Sequence, residues 1–332
     1  MLCKNVIDAV NRFKSGIKNY PKADFLNNDG GVNEEAIKIA LKMAFPDITS
    51  RTMTREKVDD LVAFDKLPEK LYTYKENDQS EAYGVIIKNW FCLSEASIGK
   101  DKFDDAHCKL CDTVVSFLKY NKYTEDSATY GKAQKVVNMM FKHLFCLAMQ
   151  DNGTVEKEKH FEFCHMALDS FTLEWLKRTK DHKKSNIVKG KVDSWSAIQK
   201  SSTDTYTKKN KDKELTFYSY KTLVNMIRDI IPQKDYPCLT PFQAEFIIWP
   251  EIQLHLATEA LFGQEIGKEE TVKVLKEKIG KEEAEEINFT EATKMFRGLD
   301  IQQKIEIVQY KLKVIVDYYN ELRAESNKNV EE

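Results

Sequence analysis

Apolar residues recur every three or four positions along almost the whole of this chain, a spacing that returns them to one face of an α-helix. Val6, Ala9, Val10, Phe13 and Ile17 share one such face. Ala36, Ile37, Ala40, Leu41 and Ala44 share another, stopped by Pro46, which cannot continue a helix. Phe103, His107, Leu110, Cys111, Val114, Phe117 and Leu118 form a third. The segment 132–149 is apolar on most sides, which predicts a helix at the centre of the core. Weaker patterns at 54–64 and 80–98 read as helices too. Phe161, Cys164, Leu168, Phe171 and Trp175 predict one continuous helical stripe, with further helices at 216–231 and 240–262. Gly and Pro number only 12 and 7 in 332 residues, too few for the turns of an all-β fold. The chain is therefore expected to be all-α, a multi-helix globular bundle of about twelve helices with a C-terminal helical module.

Charge divides the chain unevenly. Residues 177–213 hold twelve Lys and Arg against four Asp and are rich in Ser, Thr and Asn. They read as a basic, mostly exposed loop with one short helix near 193–200, set into a main domain spanning 1–250. From 251 onward eighteen acids face twelve bases, an acidic C-terminal module. It ends in a helix over 300–323, where Asp300 and Gln303 have N-cap and capping-box spacing. Ile301, Ile305, Val308, Leu312, Ile315, Tyr319 and Leu322 then follow with heptad-like spacing. Such a seam wants a partner helix, in its own chain, in another copy or in a partner protein.

The formal net charge is −2, which argues against a globally basic nucleic-acid coat. No run of about 18 apolar residues and no export signal occurs, so no membrane partner is expected. Seven scattered Cys fit a reducing cytoplasm. Gly-rich phosphate loops, His-Glu-x-x-His and Gly-x-Ser-x-Gly are absent, and no cofactor is implied. Cys108 and Cys111, with His107 before them and Cys164–His165 downstream, have the residue types of a zinc site. His107, Cys111 and Cys164 also sit on apolar helix faces, where Cys is an ordinary small core residue, and no metal site is assigned.

Two segments carry chemistry together. Gly131 precedes a lysine-bearing apolar helix with Lys132, Lys135 and Lys142, and Met166-Ala167-Leu168-Asp169-Ser170 places one carboxylate after an apolar residue, where a helix could begin. A buried lysine loses its water, which lowers an amine's pKa and leaves it nucleophilic. A nearby carboxylate stabilises positive charge developing on a sugar as a base departs. Over residues 130–170 this pairing resembles the helix-hairpin-helix DNA glycosylases, nearest the archaeal 8-oxoguanine branch, whose lysine helix carries a second Lys seven residues on. The family's Leu-Pro-Gly-x-Gly hairpin has no counterpart in 126–131, which offers a single Gly. The resemblance implies cleavage of a damaged base by a lysine nucleophile with an assisting aspartate. Lys135 would be the Schiff-base lysine, or Lys132 if Gly131 is aligned with the hairpin glycine, and Asp169 the carboxylate. Lys183, Lys184, Lys189 and Lys191 of the basic stretch would contact DNA phosphates.

A second reading stands beside it. The lysines equally suit the exposed edge of a core helix, and His165 and Asp169 would share one face of a continuous helix. The chain would then be a non-enzymatic helical interaction or oligomerisation protein, from a prokaryotic or phage conflict system, docking through helix 300–323.

Overall fold

The computed structural model describes residues 4–48, 53–56, 64–178, 192–210, 213–231, 239–262, 296, 299, 302–310 and 313. The chain divides into two compact units, Met1–Trp249 and Pro250–Glu332. The first unit contains α1 (Lys4–Ser15), α2 (Glu34–Ala44), α3 (Leu67–Thr73), α4 (Tyr83–Cys92), α5 (Lys100–Tyr120), α6 (Tyr130–Ala148), α7 (Ser170–Arg178) and α8 (Tyr220–Ile230). α9 (Pro241–Phe262) starts in it, and Pro250 inside that helix marks the boundary between the units. Of the second unit, residues 302–310 are helical, within the expected terminal helix; the rest of 300–323, apart from residue 313, lies outside the described residues. Among the described residues no helix is long and apolar enough to cross a membrane. The architecture is a mostly helical bundle.

Local signals set the helix ends. Asn33 caps α2, its side chain accepting from Glu35 N, and Thr129 caps α6 by accepting from Lys132 N. α6 is the axis of the unit: sixteen of its nineteen residues are buried, as its all-round apolar pattern requires. It packs against α2 and α5, while α3 and α4 close the far side of those helices. Phe91, Phe103, Phe141, Phe145 and Phe161 meet edge-on or tilted at centroid distances of 5.2 to 6.2 Å around it. Each such ring contributes roughly 1.5–3 kcal/mol by leaving water. A smaller core joins Leu173 and Leu176 of α7, Leu223 and Ile227 of α8, and Ala244 and Ile248 of α9. Between the two cores runs the segment 164–169. Cys164 and Ala167 enter the larger core, and Met166 and Leu168 the smaller.

The structure departs from three sequence expectations. The stripe from Phe161 to Trp175 is no single helix. A short 3-10 turn, Glu158–Phe161, precedes an extended stretch, and α7 begins only at Ser170. The apolar spacing there serves two cores instead of one helix face. Residues 205–218 are not loop and helix but a two-stranded antiparallel sheet, β1 (Thr205–Asn210) with β2 (Lys213–Tyr218), and α8 starts after it at Tyr220. Within 54–64, residues 53–56 are extended, with Arg55 bridging to Tyr123, and only a 3-10 turn, Phe64–Lys66, is helical among the described residues. The short helix near 193–200 is a 3-10 turn, Trp195–Ala197.

Candidate active site

Asp169 ends the segment between the two cores and caps α7. Its Oδ1 accepts from Phe171 N at 2.9 Å and Thr172 N at 3.0 Å, while Thr172 Oγ1 accepts from Asp169 N at 2.8 Å. That reciprocal cap fixes the carboxylate and leaves Oδ2 facing outward from the helix end. Oδ2 accepts from the Trp249 indole N–H at 2.9 Å and lies 3.9 Å from Lys135 Nζ. Lys135 and Asp169 side chains are only 14% and 9% exposed, so both charges have lost most of their water. Lys135 also sits over the Trp195 ring, 4.9 Å from its centroid, a cation–π contact.

The preceding peptides are clamped by side chains. Gln134, fully buried on α6, accepts from Leu168 N at 3.1 Å and donates to Leu168 O at 2.8 Å. Its amide also donates to Gly131 O at 2.8 Å and accepts from Asn138 Nδ2 at 2.9 Å, which uses every bond it can make. Glu245 Oε2 accepts from Ala167 N at 2.8 Å, and its Oε1 holds Lys142 Nζ at 2.8 Å in a pair whose side chains are 2% and 4% exposed. Phe13 and Phe246 flank that ammonium, each centroid 4.7 Å away.

These groups line a cavity of about 350 Å³, walled by Phe13, Met43, Met139 and Trp249, with Asp47, Lys135, Lys142, Asp169 and Glu245 as its charged groups beside the exposed Lys42. The size is that of a small-molecule site. Burial pushes the Asp47 carboxyl above the ordinary carboxylate range, opposed by Lys135 and Lys142 and reinforced by Asp169 and Glu245. His143, also on the wall, is held neutral by burial and by Lys142, its pKa down to about 3, and meets the Tyr20 hydroxyl at 2.9 Å.

Lys132 is placed differently. Burial lowers its pKa, but its Nζ donates to Asp126 O at 3.4 Å and it does not line this cavity. Lys183, Lys184, Lys189 and Lys191 lie outside the described residues. Of the described lysines in the basic stretch, Lys200 pairs with Asp112 and Lys208 with Asp193.

His165 shares no helix face with Asp169. An ionised carboxylate only accepts, so the ring donates from Nε2 to Asp104 Oδ1 at 2.8 Å, and Nδ1 accepts from the Tyr220 hydroxyl at 2.9 Å. Arg228 grips the same Asp104 through two bonds of 2.9 and 2.7 Å. Burial pushes the Asp104 carboxyl up, yet the bonds from Arg228 and His165 outweigh it and hold the pKa low. Tyr220 and His107 join this network to Asn138. Cys111 and Cys164 are free and buried, and among the described residues no group of three or more His, Cys, Asp or Glu is arranged to hold a metal ion.

Sequence reasoning left Trp249 as a core residue and passed over Asp47 and Glu245. Glu245 had a signal: it is one acid in the apolar run Pro241–Pro250. Comparison with protein-family models, curated proteins and solved structures found no match.

Proposed function

We propose that the chain is a lysine-nucleophile DNA N-glycosylase, with Lys135 as nucleophile and Asp169 as the assisting carboxylate. The observation that carries this reading is the 3.9 Å approach of Lys135 Nζ to Asp169 Oδ2 beside a cavity of about 350 Å³. The two groups come from different elements, and a capped helix end and an indole N–H fix the carboxylate. A nucleobase turned out of the duplex would enter against Trp249 and Met139, its polar edge toward Lys142 and Glu245. Lys135 releases a proton to solvent, its amine attacks the sugar C1′, and the C1′–N bond breaks with its electron pair leaving on the base. Asp169 stabilises the positive charge that develops on the sugar. The attached nitrogen passes a proton to the ring oxygen O4′ as the C1′–O4′ bond breaks, which opens the sugar and gives a protonated imine between lysine and deoxyribose, the species that borohydride reduces.

Lys135 is preferred to Lys132 because Lys132 faces a backbone carbonyl away from the cavity. The test is borohydride trapping on a duplex carrying one 8-oxoguanine, repeated with uracil and alkylated purines. Wild type and K132Q are expected to give a covalent adduct, and K135Q none. The reading fails if wild type traps no lesion, or if K135Q traps as well as wild type.

A further inference from the structure

We propose that Asp47 is a second catalytic carboxyl, the general acid that protonates the departing base; this rests on the glycosylase reading above. The argument starts from what bond breaking demands. When the C1′–N bond cleaves, the base leaves with an electron pair and needs a proton on nitrogen or oxygen. A lysine that attacks as a free amine gains an acidic proton only once its bond to C1′ has formed, and an aspartate that stabilises a cation must stay ionised. A third group in the cavity can supply the proton while the C1′–N bond is breaking.

The cavity wall holds three carboxyls, and two are committed. Asp169 caps α7 with one oxygen and receives the Trp249 N–H on the other. Glu245 binds Lys142 with one oxygen and the Ala167 amide with the other. The Asp47 carboxyl makes no hydrogen bond to another of the described residues, and it lines the same cavity from the 3-10 turn Phe45–Asp47 that follows α2. The other potential donors are less suited. Lys142 would strand the Glu245 charge if it gave up a proton. His143 is kept neutral, with one ring nitrogen taken by Tyr20.

The electrostatics of the wall fit the role. Asp47 faces Lys135 and Lys142 of α6, Asp169 at the cap of α7 and Glu245 of α9, with Lys42 and His143 also on the wall. Burial dominates and favours the protonated acid. In the step proposed, the Asp47 proton passes to the base as the C1′–N pair leaves, Asp47 becomes a carboxylate, and solvent returns the proton after the base departs.

The experiment compares two duplexes under borohydride: one with an intact 8-oxoguanine, one with a preformed abasic site. Only the first needs a base to leave. D47N keeps the shape of the side chain but has no acidic proton. On the lesion duplex it is expected to slow single-turnover trapping by roughly 100-fold or more. On the abasic duplex it is expected to trap at the wild-type rate, which also shows that the variant is folded. The wild-type lesion rate falls as pH rises through the Asp47 titration, and D47N removes that limb. Equal rates for D47N and wild type on both duplexes overturn the role of Asp47, and so does an equal loss on both. Wild type that traps neither duplex overturns the lysine reading instead.

Discussion

The indole N–H of Trp249 donates to the same Asp169 oxygen that faces Lys135, at 2.9 Å, across 80 residues of chain. A carboxylate oxygen held this way cannot swing toward the ammonium and close a tight ion pair. W249F removes the donor and keeps most of the ring, so the loss is one hydrogen bond to a charged group, about 1.5–3 kcal/mol. The trapping rate on lesion DNA is expected to fall roughly 10- to 100-fold. The indole 15N–1H signal lost in W249F identifies Trp249, and in D169A that same signal is expected to move while the Trp90 indole, bonded to His160 O, stays in place.

Asp169 has two jobs that substitution can separate. Asn caps a helix about as well as Asp, so D169N is expected to unfold within about 0.5 kcal/mol of wild type and yet lose trapping. D169A also strips the cap from α7, at about 1 kcal/mol or more. Urea denaturation beside the trapping assay checks both. Equal stability of D169A and D169N would mean that the cap adds nothing.

The Lys142–Glu245 pair is almost wholly out of water. Removing one partner leaves a buried charge alone, so K142M or E245Q is each expected to cost about 3–5 kcal/mol. The double variant K142M/E245Q leaves no charge and should cost far less than the two losses added together. E245Q still offers an oxygen to Ala167 N. A double-mutant cycle in urea measures the coupling, and additive losses would contradict it.

Acid should weaken the fold. Burial lowers the pKa of His107, His143 and His165 below the value near 6.5 expected in the unfolded chain. Between those values the unfolded chain binds more protons, so stability is full above pH ~6.5 and is lost as pH falls through that interval. Each histidine adds a slope of up to about 1.4 kcal/mol per pH unit. Denaturation midpoints from about pH 7.5 to about pH 5 measure it, and H143Q should flatten the curve by about one proton. A midpoint unchanged over that range would show that the three rings are not buried as described.

Gly131 is close-packed. A Cβ placed there would overlap the Trp195 carbonyl oxygen, a backbone atom that cannot rotate away. G131A is therefore expected to lift the turn Trp195–Ala197 off the start of α6 and remove the ring from above Lys135. Trp195 fluorescence should shift to the red in G131A, with the W195F variant identifying its contribution. An unchanged spectrum would show that the turn tolerates the methyl group.

Most of the helices were readable because helical periodicity is a local property. A residue's burial on one face depends on neighbours three and four positions away, as in Ala36 to Ala44 and Phe103 to Leu118. The cap at Asp169 was one of two readings the sequence left open, the other a continuous helix through it, although its partners Phe171 and Thr172 are local. The failures have one physical origin. Residues 161–175 pass between two cores, and a local pattern does not record which core each side chain enters. The β1–β2 ribbon is mostly polar and carries little alternation to detect.

By itself, then, the chain determined a helical bundle built around 130–148, and offered a carboxylate, Asp169, 34 residues after Lys135 at a position where a helix could begin. Only the tertiary structure decided that Lys135, and not Lys132, faces that carboxylate, and that Asp47, Glu245 and Trp249 complete the same cavity. The reason is packing. Which of two lysines three positions apart on α6 turns toward the cavity depends on the helices beside α6. Groups as far apart in the chain as Asp47 and Trp249 meet only once those helices close.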